Sequence, residues 1–514
     1  MKRRRFLQST AASLLTGCSQ RLALPHDLPL PMTELISRMA SGSLTSVELM
    51  RHCLGRIERL DRVGLELRAV IELHSDAMAM AAQSDLSKTG LSLLGLPILI
   101  KDNIETADAM LTTAGSLALV DAPKPKQDAE IVWRLREAGA LIFGKTNLSE
   151  WANIRSSDSS SGWSARGGLT RNPHNLTHSA SGSSSGSAVA VAVGFCVAAI
   201  GTETNGSIIS PASACGIVGL KPTVGRVSRS GIMPITHWQD TAGPMTLTVR
   251  DAALLMNVIS GLDSSDVPFL KQPDGLEYDH TALMGSDALR GVRLGVVRNL
   301  CGENQEVLAL FEQSLEMLRQ AGAILIDPVT LPNHREAGGL AWKAMLTEFR
   351  ADMNGYLERR GGNMKSLADV IAFNIKHRDS EMPFFGQDLF EKAESQGTTE
   401  ATDEANQARA NARFLAGPEG IDAVIQEYQL DALICPTNDP IQSITLSKGD
   451  AHVRCACGPA AVAGYPHLTV PMGLVAGLPV GLSFFGGAWT EPQLLAYGEA
   501  FERIMPARLP PAMA

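Results

Sequence analysis

A lysine that closes an apolar run, a tract rich in serine, and a serine just past the next apolar run are the residues here best placed for covalent chemistry. "LLGLPILIKDNI" (93–104) carries Lys101, "SASGSSSGS" (179–187) carries Ser183, and "ETNGSIISPA" (203–212) carries Ser207. A serine hydroxyl is a weak nucleophile until a base takes its proton. A lysine can be that base only when neutral, and bringing its pKa from about 10.4 to near 7 costs on the order of 4–5 kcal/mol of ammonium stabilisation. Burial at the end of an apolar strand can impose that cost.

The same stretches admit rival chemistries. Gly182-Ser183-Ser184-Ser185-Gly186 fits G-x-S-x-G, a nucleophile elbow centred on Ser184, but that motif must follow a strand. The preceding "TRNPHNLTHSA" (170–180) contains Pro173 and no apolar run. His174 and His178 stand four apart, as on a metal-binding helix, yet Asn172, Pro173 and Asn175 read as loop and no H-E-x-x-H glutamate accompanies them. Cys455 and Cys457 form a C-x-C pair that could take a soft metal, without a second pair or a histidine set nearby. The remaining cysteines are scattered and do not read as a disulfide framework. No metal and no cofactor are expected.

Buried elements must position these groups. A Gly/Ser tract is ordinarily a flexible linker, but this one runs straight into "AVAVAVGFCVAAI" (188–200), which has no charge and is too apolar for water. The serines are therefore expected inside the fold. Residues 188–193 are small enough for a tightly packed helix, and "FCVAAIGT" (195–202) has the residue types of a central strand. Lys101 and Ser207 then each follow a buried strand, where open α/β sheets place their sites. "AEIVWRLREAGALIFGKTNLSEWA" (129–152) reads as helix then strand, as does "EVLALFEQSLEMLRQAGAILI" (306–326). Residues 30–90 read mainly as amphipathic helices, with Thr45 a helix N-cap. Short strands return in "DALICPT" and "LPVGLSFFG".

"GSSSGSAVAVAVGFCVAAIGTETNGSIISPA" resembles the signature of the amidase signature family, serine amidases with a Ser-Ser-Lys triad. The likeness extends through "LLGLPILIKDNIETADAMLTTAGS", "GKTNLSEWANIRSSDSSSGWSARGGLTRNP" and "GYPHLTVPMG", so it covers most of the chain. It implies an α/β fold with a large mixed central sheet, helices on both faces and a helical insertion. Residue by residue, it implies Lys101 as the base, Ser183 as the relay serine of a cis peptide, and Ser207 as the nucleophile. The backbone N–H groups of Thr204, Asn205, Gly206 and Ser207 would form the oxyanion hole. Two departures stand out: Ser181 and Ser185 replace glycines of the commoner G-G-S-S-G-G-S, and Asn205 replaces a glycine of T-D-x-G-G-S-I-R. Both variants resemble the bacterial peptide amidase branch, whose members remove C-terminal amides of peptides. The implied activity is hydrolysis of a small-molecule or short-peptide amide to an acid plus ammonia or amine. The implied domain is residues 27–514, with a signature core about 75–270 and an insertion about 290–430. Within that insertion, residues 348–357 and 374–390 are expected at the pocket.

Composition narrows the partners. With 45% hydrophobic and 19% charged residues the 514-residue chain can build a sizeable core. A net charge of −9, with no Lys/Arg cluster beyond the N-terminus, argues against a nucleic-acid surface. "MKRRRFLQSTAASLLTGCSQ" has the anatomy of an export signal within residues 1–26. Arg3-Arg4-Arg5-Phe6-Leu7 resembles a twin-arginine signal, and Leu15-Thr16-Gly17-Cys18 a lipobox whose cysteine is lipidated. A periplasmic lipoprotein is the expectation, with a soluble periplasmic protein as the alternative. Two other functional classes are a non-catalytic, lipid-anchored binding protein and an amidotransferase-type glutaminase subunit. The first need not have kept Lys101 or Ser207, and an export signal would separate the second from tRNA.

Overall fold

The computed structural model describes residues 29–87, 90–266, 270–446, 448–450 and 453–512. The export-signal reading of residues 1–26, and the proposed lipidation site Cys18, lie outside them. Strands in chain order are β1 (Val70–Leu73), β2 (Pro97–Lys101), β3 (Leu141–Thr146), β4 (Trp163–Ser164), β5 (Gly168–Leu169), β6 (Ala198–Glu203), β7 (Val218–Lys221), β8 (Thr241–Thr246), β9 (Arg293–Val297), β10 (Ile324–Val329), β11 (Ala432–Pro436), β12 (His467–Val475) and β13 (Leu478–Phe485). Eleven of them form one mixed sheet in the order β1-β3-β2-β6-β8-β7-β12-β13-β11-β9-β10, and β4 and β5 pair separately.

Every residue of β2, β3, β6, β7, β8 and β11 is buried. A strand reads as a continuous apolar run when both of its faces are covered. The cover near the site is the helix Ser185–Ala192, whose eight residues are all buried and which packs on β2, β3, β6 and β8. Serine, glycine, alanine and valine keep it thin. Gly186 marks its closest approach, because a Cβ there would collide with the backbone oxygens of Ala69 and Asn147. Further along the sheet, helices Gln305–Gln320 and Glu491–Ile504 lie on β12 and its neighbours.

Register sets the site. β2 runs parallel to β6, with Leu99 opposite Ala199 and Ile100 opposite Ile200, so Lys101 emerges beside the end of β6. Thr45 caps the helix that starts at Ser46 through a capping box with Glu48. Inside the region read as helical, β1 is instead a strand antiparallel to β3. At four residues it is too short to establish a period of two against its helical neighbours. The stretch 290–430 also departs from the expected helical insertion, since β9 and β10 join the central sheet and pair in parallel with each other. β10 continues the strand read at the end of 306–326, whereas β9 is a five-residue run after a long stretch of turns and was not read. Beyond β10 the region is helical, beginning at His334. The longest of them, His334–Arg360, packs on Thr399–Ala416 and meets the body of the fold through a second apolar cluster containing Trp151, Met345, Phe349 and Phe390. Among the described residues no helix is long and apolar enough to cross a membrane.

Candidate active site

Lys101 is fully buried, and its Nζ donates to Ser183 Oγ at 2.8 Å, to Thr202 Oγ1 at 2.9 Å and to the Thr202 carbonyl at 3.2 Å. Burial pushes its pKa down to about 7, against a smaller upward pull from Asp240 and Glu203. Lys145 and Lys221 are also buried lysines with lowered pKa values. Their ammonium groups meet other partners: Ile104 and Thr112 for Lys145, the Pro222 carbonyl for Lys221. Of these three lysines, Lys101 is the one joined to a serine of the tract.

The six serines of the tract divide by role. Ser183, after a cis Gly182–Ser183 peptide, lines a cavity of about 470 Å3 together with Ser207. Ser184 faces the other way, where its Oγ donates to the Thr202 carbonyl at 3.1 Å and accepts from the Thr202 N–H at 3.2 Å. Ser187 joins Thr146, Ser185 donates to the Ser181 carbonyl, and Ser179 accepts from the Ser181 N–H. Ser181, where the commoner pattern has glycine, adopts φ 59° and joins Ser210 through their hydroxyls at 2.8 Å. The residues leading into the tract form no strand, so the elbow context is absent.

Ser207 sits in the turn between β6 and the helix Ile209–Ala214. Glu203 Oε2 accepts from the N–H groups of Ile208 at 2.8 Å and Ile209 at 3.0 Å, which closes this turn into a ring. Gly206 has φ 86°, a left-handed conformation that favours glycine. The Ser207 carbonyl accepts from the Ser184 N–H at 3.0 Å and ties the turn to the tract. Among the described residues, the N–H groups of Asn205, Gly206 and Ser207 donate to no protein acceptor. They remain able to meet a ligand oxygen, and Thr204, Asn205 and Ser207 line the cavity.

Sequence reasoning missed several neighbours. Thr202 holds Lys101, and Asn103 in turn donates to Thr202 Oγ1 at 3.0 Å. Asp240 accepts from the Thr204 hydroxyl, and burial raises its pKa to about 6. Adjacency in "KDN" could have flagged Asn103, whereas nothing local marks Asp240. The pocket walls also differ from expectation. Trp342 and Met345 reach the cavity ahead of the 348–357 segment, and the facing wall comes from Ile441, Asp450 and Val453. Residues of 374–390 lie outside that lining, and Phe384 and Phe385 pack on Trp163 instead. His174 and His178 lie in a loop, bonded to the Cys215 carbonyl and the Ser443 hydroxyl. Cys455 and Cys457, read from the sequence as a C-x-C pair that could take a soft metal, instead form a disulfide that lies against Gly206. Two residues of separation give no framework spacing from which to read it. Among the described residues no group of three metal-binding side chains occurs.

Comparison with known proteins decides the family. A family model described as amidase matches residues 48–495. The chain belongs to the amidase family. It is 37% identical to a probable amidase of Arabidopsis thaliana over 91% of this chain and 88% of that one. It is 33% identical to a glutamyl-tRNA(Gln) amidotransferase subunit from Nitratidesulfovibrio vulgaris over 94% of this chain and 98% of that one. Among solved structures, native peptide amidase from Stenotrophomonas maltophilia superposes with a TM-score of 0.89 and 47% identity, covering 94% of this chain and 98% of that one. The eleven-stranded mixed sheet is that of the amidase signature fold, and this amidase hydrolyses amides.

Proposed function

We propose that this amidase removes C-terminal amides from peptides, through an acyl-enzyme on Ser207 served by Ser183 and Lys101. The observation that carries the reading is the 2.8 Å contact between the desolvated Lys101 amine and Ser183, which lines the same cavity as Ser207. With Lys101 neutral, Ser183 passes its proton to Nζ while accepting the proton of Ser207, whose Oγ forms a bond to the amide carbon. The carbonyl oxygen becomes an oxyanion facing the Thr204–Ser207 turn. As the C–N bond breaks, the proton returns from Lys101 through Ser183 to the departing nitrogen, because an amide anion cannot leave. Water then attacks the ester by the same relay and releases the acid.

Cavity shape supports a peptide on the acyl side. Ile235, Met345, Ile441 and Val453 offer apolar walls for a terminal side chain, and Trp342 at 45% exposure offers a ring face. The similarity to a peptide amidase favours the same substrate class. On a panel of peptide amides, aryl amides, aliphatic amides and glutamine, kcat/KM should be highest for peptide amides. Equal or faster turnover of glutamine or a simple aliphatic amide would overturn the choice.

For location we propose export and lipid anchoring, on the N-terminal residue pattern alone. Labelled palmitate should enter the wild-type protein and not Cys18→Ala, and wild-type protein found wholly soluble in the cytoplasm would refute it.

A further inference from the structure

A buried polar chain runs from the helical region to the turn before Ser207. Arg409, on the helix Thr399–Ala416, makes a two-pronged bond to Glu348 on the helix His334–Arg360, Nε to Oε1 at 2.8 Å and Nη2 to Oε2 at 2.7 Å. Its third nitrogen, Nη1, donates to Gln239 Oε1. Gln239 is fully buried, and its Nε2 donates to the Thr204 carbonyl at 3.1 Å. Glu348 also accepts from the Thr236 hydroxyl at 2.7 Å, and Asp240 Oδ2 accepts from the N–H groups of Ile235 and Thr236 at 2.7 and 2.9 Å. The other carboxylate oxygen of Asp240 holds the Thr204 side chain.

A trans peptide is planar, with its carbonyl and the following N–H pointing in opposite directions. Fixing the Thr204 carbonyl on Gln239 therefore fixes where the Asn205 N–H points, and Asn205 borders the cavity beside Ser207. We infer that Gln239, held by the Arg409–Glu348 pair, is a positioning residue that aims the Asn205 N–H at the oxyanion formed during amide cleavage. This rests on the assignment of Ser207 as nucleophile. The carboxamide is suited to the task because it accepts from Arg409 with one atom and donates to Thr204 with the other. The planar fork of Arg409 leaves Gln239 one orientation, since a flipped amide would set two donors against each other. The helical region thus does more than wall the pocket, because its buried ion pair sets the geometry of the turn.

Gln239→Met keeps the volume and neutrality and removes the donor. In the full-length enzyme at the pH-independent plateau, kcat should fall roughly tenfold to a hundredfold with KM nearly unchanged, less than the roughly hundredfold to thousandfold for outright loss of an oxyanion donor, because the Asn205 N–H is misaimed and not removed. Affinity for a peptide boronate, which forms a tetrahedral adduct with a serine, should fall by the same factor as kcat/KM. Affinity for a product-like peptide acid should stay within about twofold, as expected when only the transition state loses a contact. Arg409→Lys, which loses the fork and keeps the charge, should show a smaller shift of the same kind. It serves as the test if Gln239→Met does not fold. Wild-type kcat and boronate affinity in a folded Gln239→Met, or equal losses for boronate and acid, would overturn the inference. Ser207→Ala is assayed in parallel. If Ser207→Ala is inactive while Gln239→Met is unimpaired, only the positioning role falls, whereas an active Ser207→Ala removes the assignment on which it rests.

Discussion

Ser207→Ala and Lys101→Ala should each lower kcat/KM by about four orders of magnitude or more, and the double variant should be little worse than either. Groups that act as one unit give non-additive losses. A serine without a base and a base without a serine leave the same residual activity, that of a pocket which binds and polarises the amide. The pH profile should carry the lysine's signature. Below about pH 7 Lys101 holds a proton and cannot accept another, so kcat/KM should rise tenfold per pH unit and level off above about 7. A profile flat from pH 5 to 9 would refute Lys101 as the base. Stability separates chemistry from architecture. The pKa of Lys101 is about 7 in the folded state against 10.5 for a free lysine, so the unfolded chain binds the extra proton across that window and wild-type stability gains from this site as pH rises from 7 to 10.5. At pH 7 and below, burying the lysine costs on the order of 4–5 kcal/mol. Lys101→Met removes that cost. The contacts it forfeits are fewer than they look, because Ser184 still donates to the Thr202 carbonyl and Asn103 to Thr202 Oγ1. Thr202 keeps those partners, and Ser183 alone is left without a side-chain partner, worth about 1–3 kcal/mol. Lys101→Met should thus melt no lower than wild type at pH 7 while being inactive, and a marked fall in Tm would show that the lysine is structural.

The parts of this site legible in the sequence are those whose physics is local. "LPILIK" states a buried strand with a lysine at its end, and "AVAVAV" states a thin, buried helix, whatever the rest of the fold does. The type of Ser183 could be read, but the direction it faces could not. Ser183 and Ser184 are neighbours of one residue type, and only the register between β2 and β6 places Lys101 near one and Thr202 near the other. Gln239 and Arg409 were invisible for a related reason, and Glu348, inside a segment expected at the pocket, could not be given its partner. They lie far apart in the chain and meet because the helices of the 334–416 region return over the end of β6. β10 was legible as the strand that follows a helix in 306–326, whereas its parallel partner β9, five residues from Arg293 to Val297, was not read. Contacts between distant segments are where composition and periodicity carry no information, and both the proposed relay and its proposed support are built from such contacts.

Ser183→Ala should lower turnover by two or more orders of magnitude, while Ser184→Ala costs far less activity. The two hydroxyls differ in what they touch. Ser183 Oγ lies 2.8 Å from Lys101 Nζ at the cavity, so its loss would break the proposed proton path in both the acylation and the leaving-group steps. Ser184 Oγ is fully buried and bonded to both backbone groups of Thr202. Its removal leaves the Thr202 N–H without that acceptor, a stability cost of about 1–3 kcal/mol. Because Thr202 also holds Lys101, Ser184→Ala should loosen the site modestly and show its main effect as a lower Tm. Ser183→Ala should keep its Tm within a few degrees and lose activity instead. Higher pH should partly restore Ser183→Ala, since hydroxide can take the Ser207 proton directly, and should not restore Ser207→Ala. A serine-directed fluorophosphonate should label wild type and Ser184→Ala at Ser207, and Ser183→Ala far more slowly. If a folded Ser184→Ala is inactive while Ser183→Ala and Ser207→Ala both turn over at the wild-type rate, the nucleophile elbow is correct and the relay through Lys101 is not.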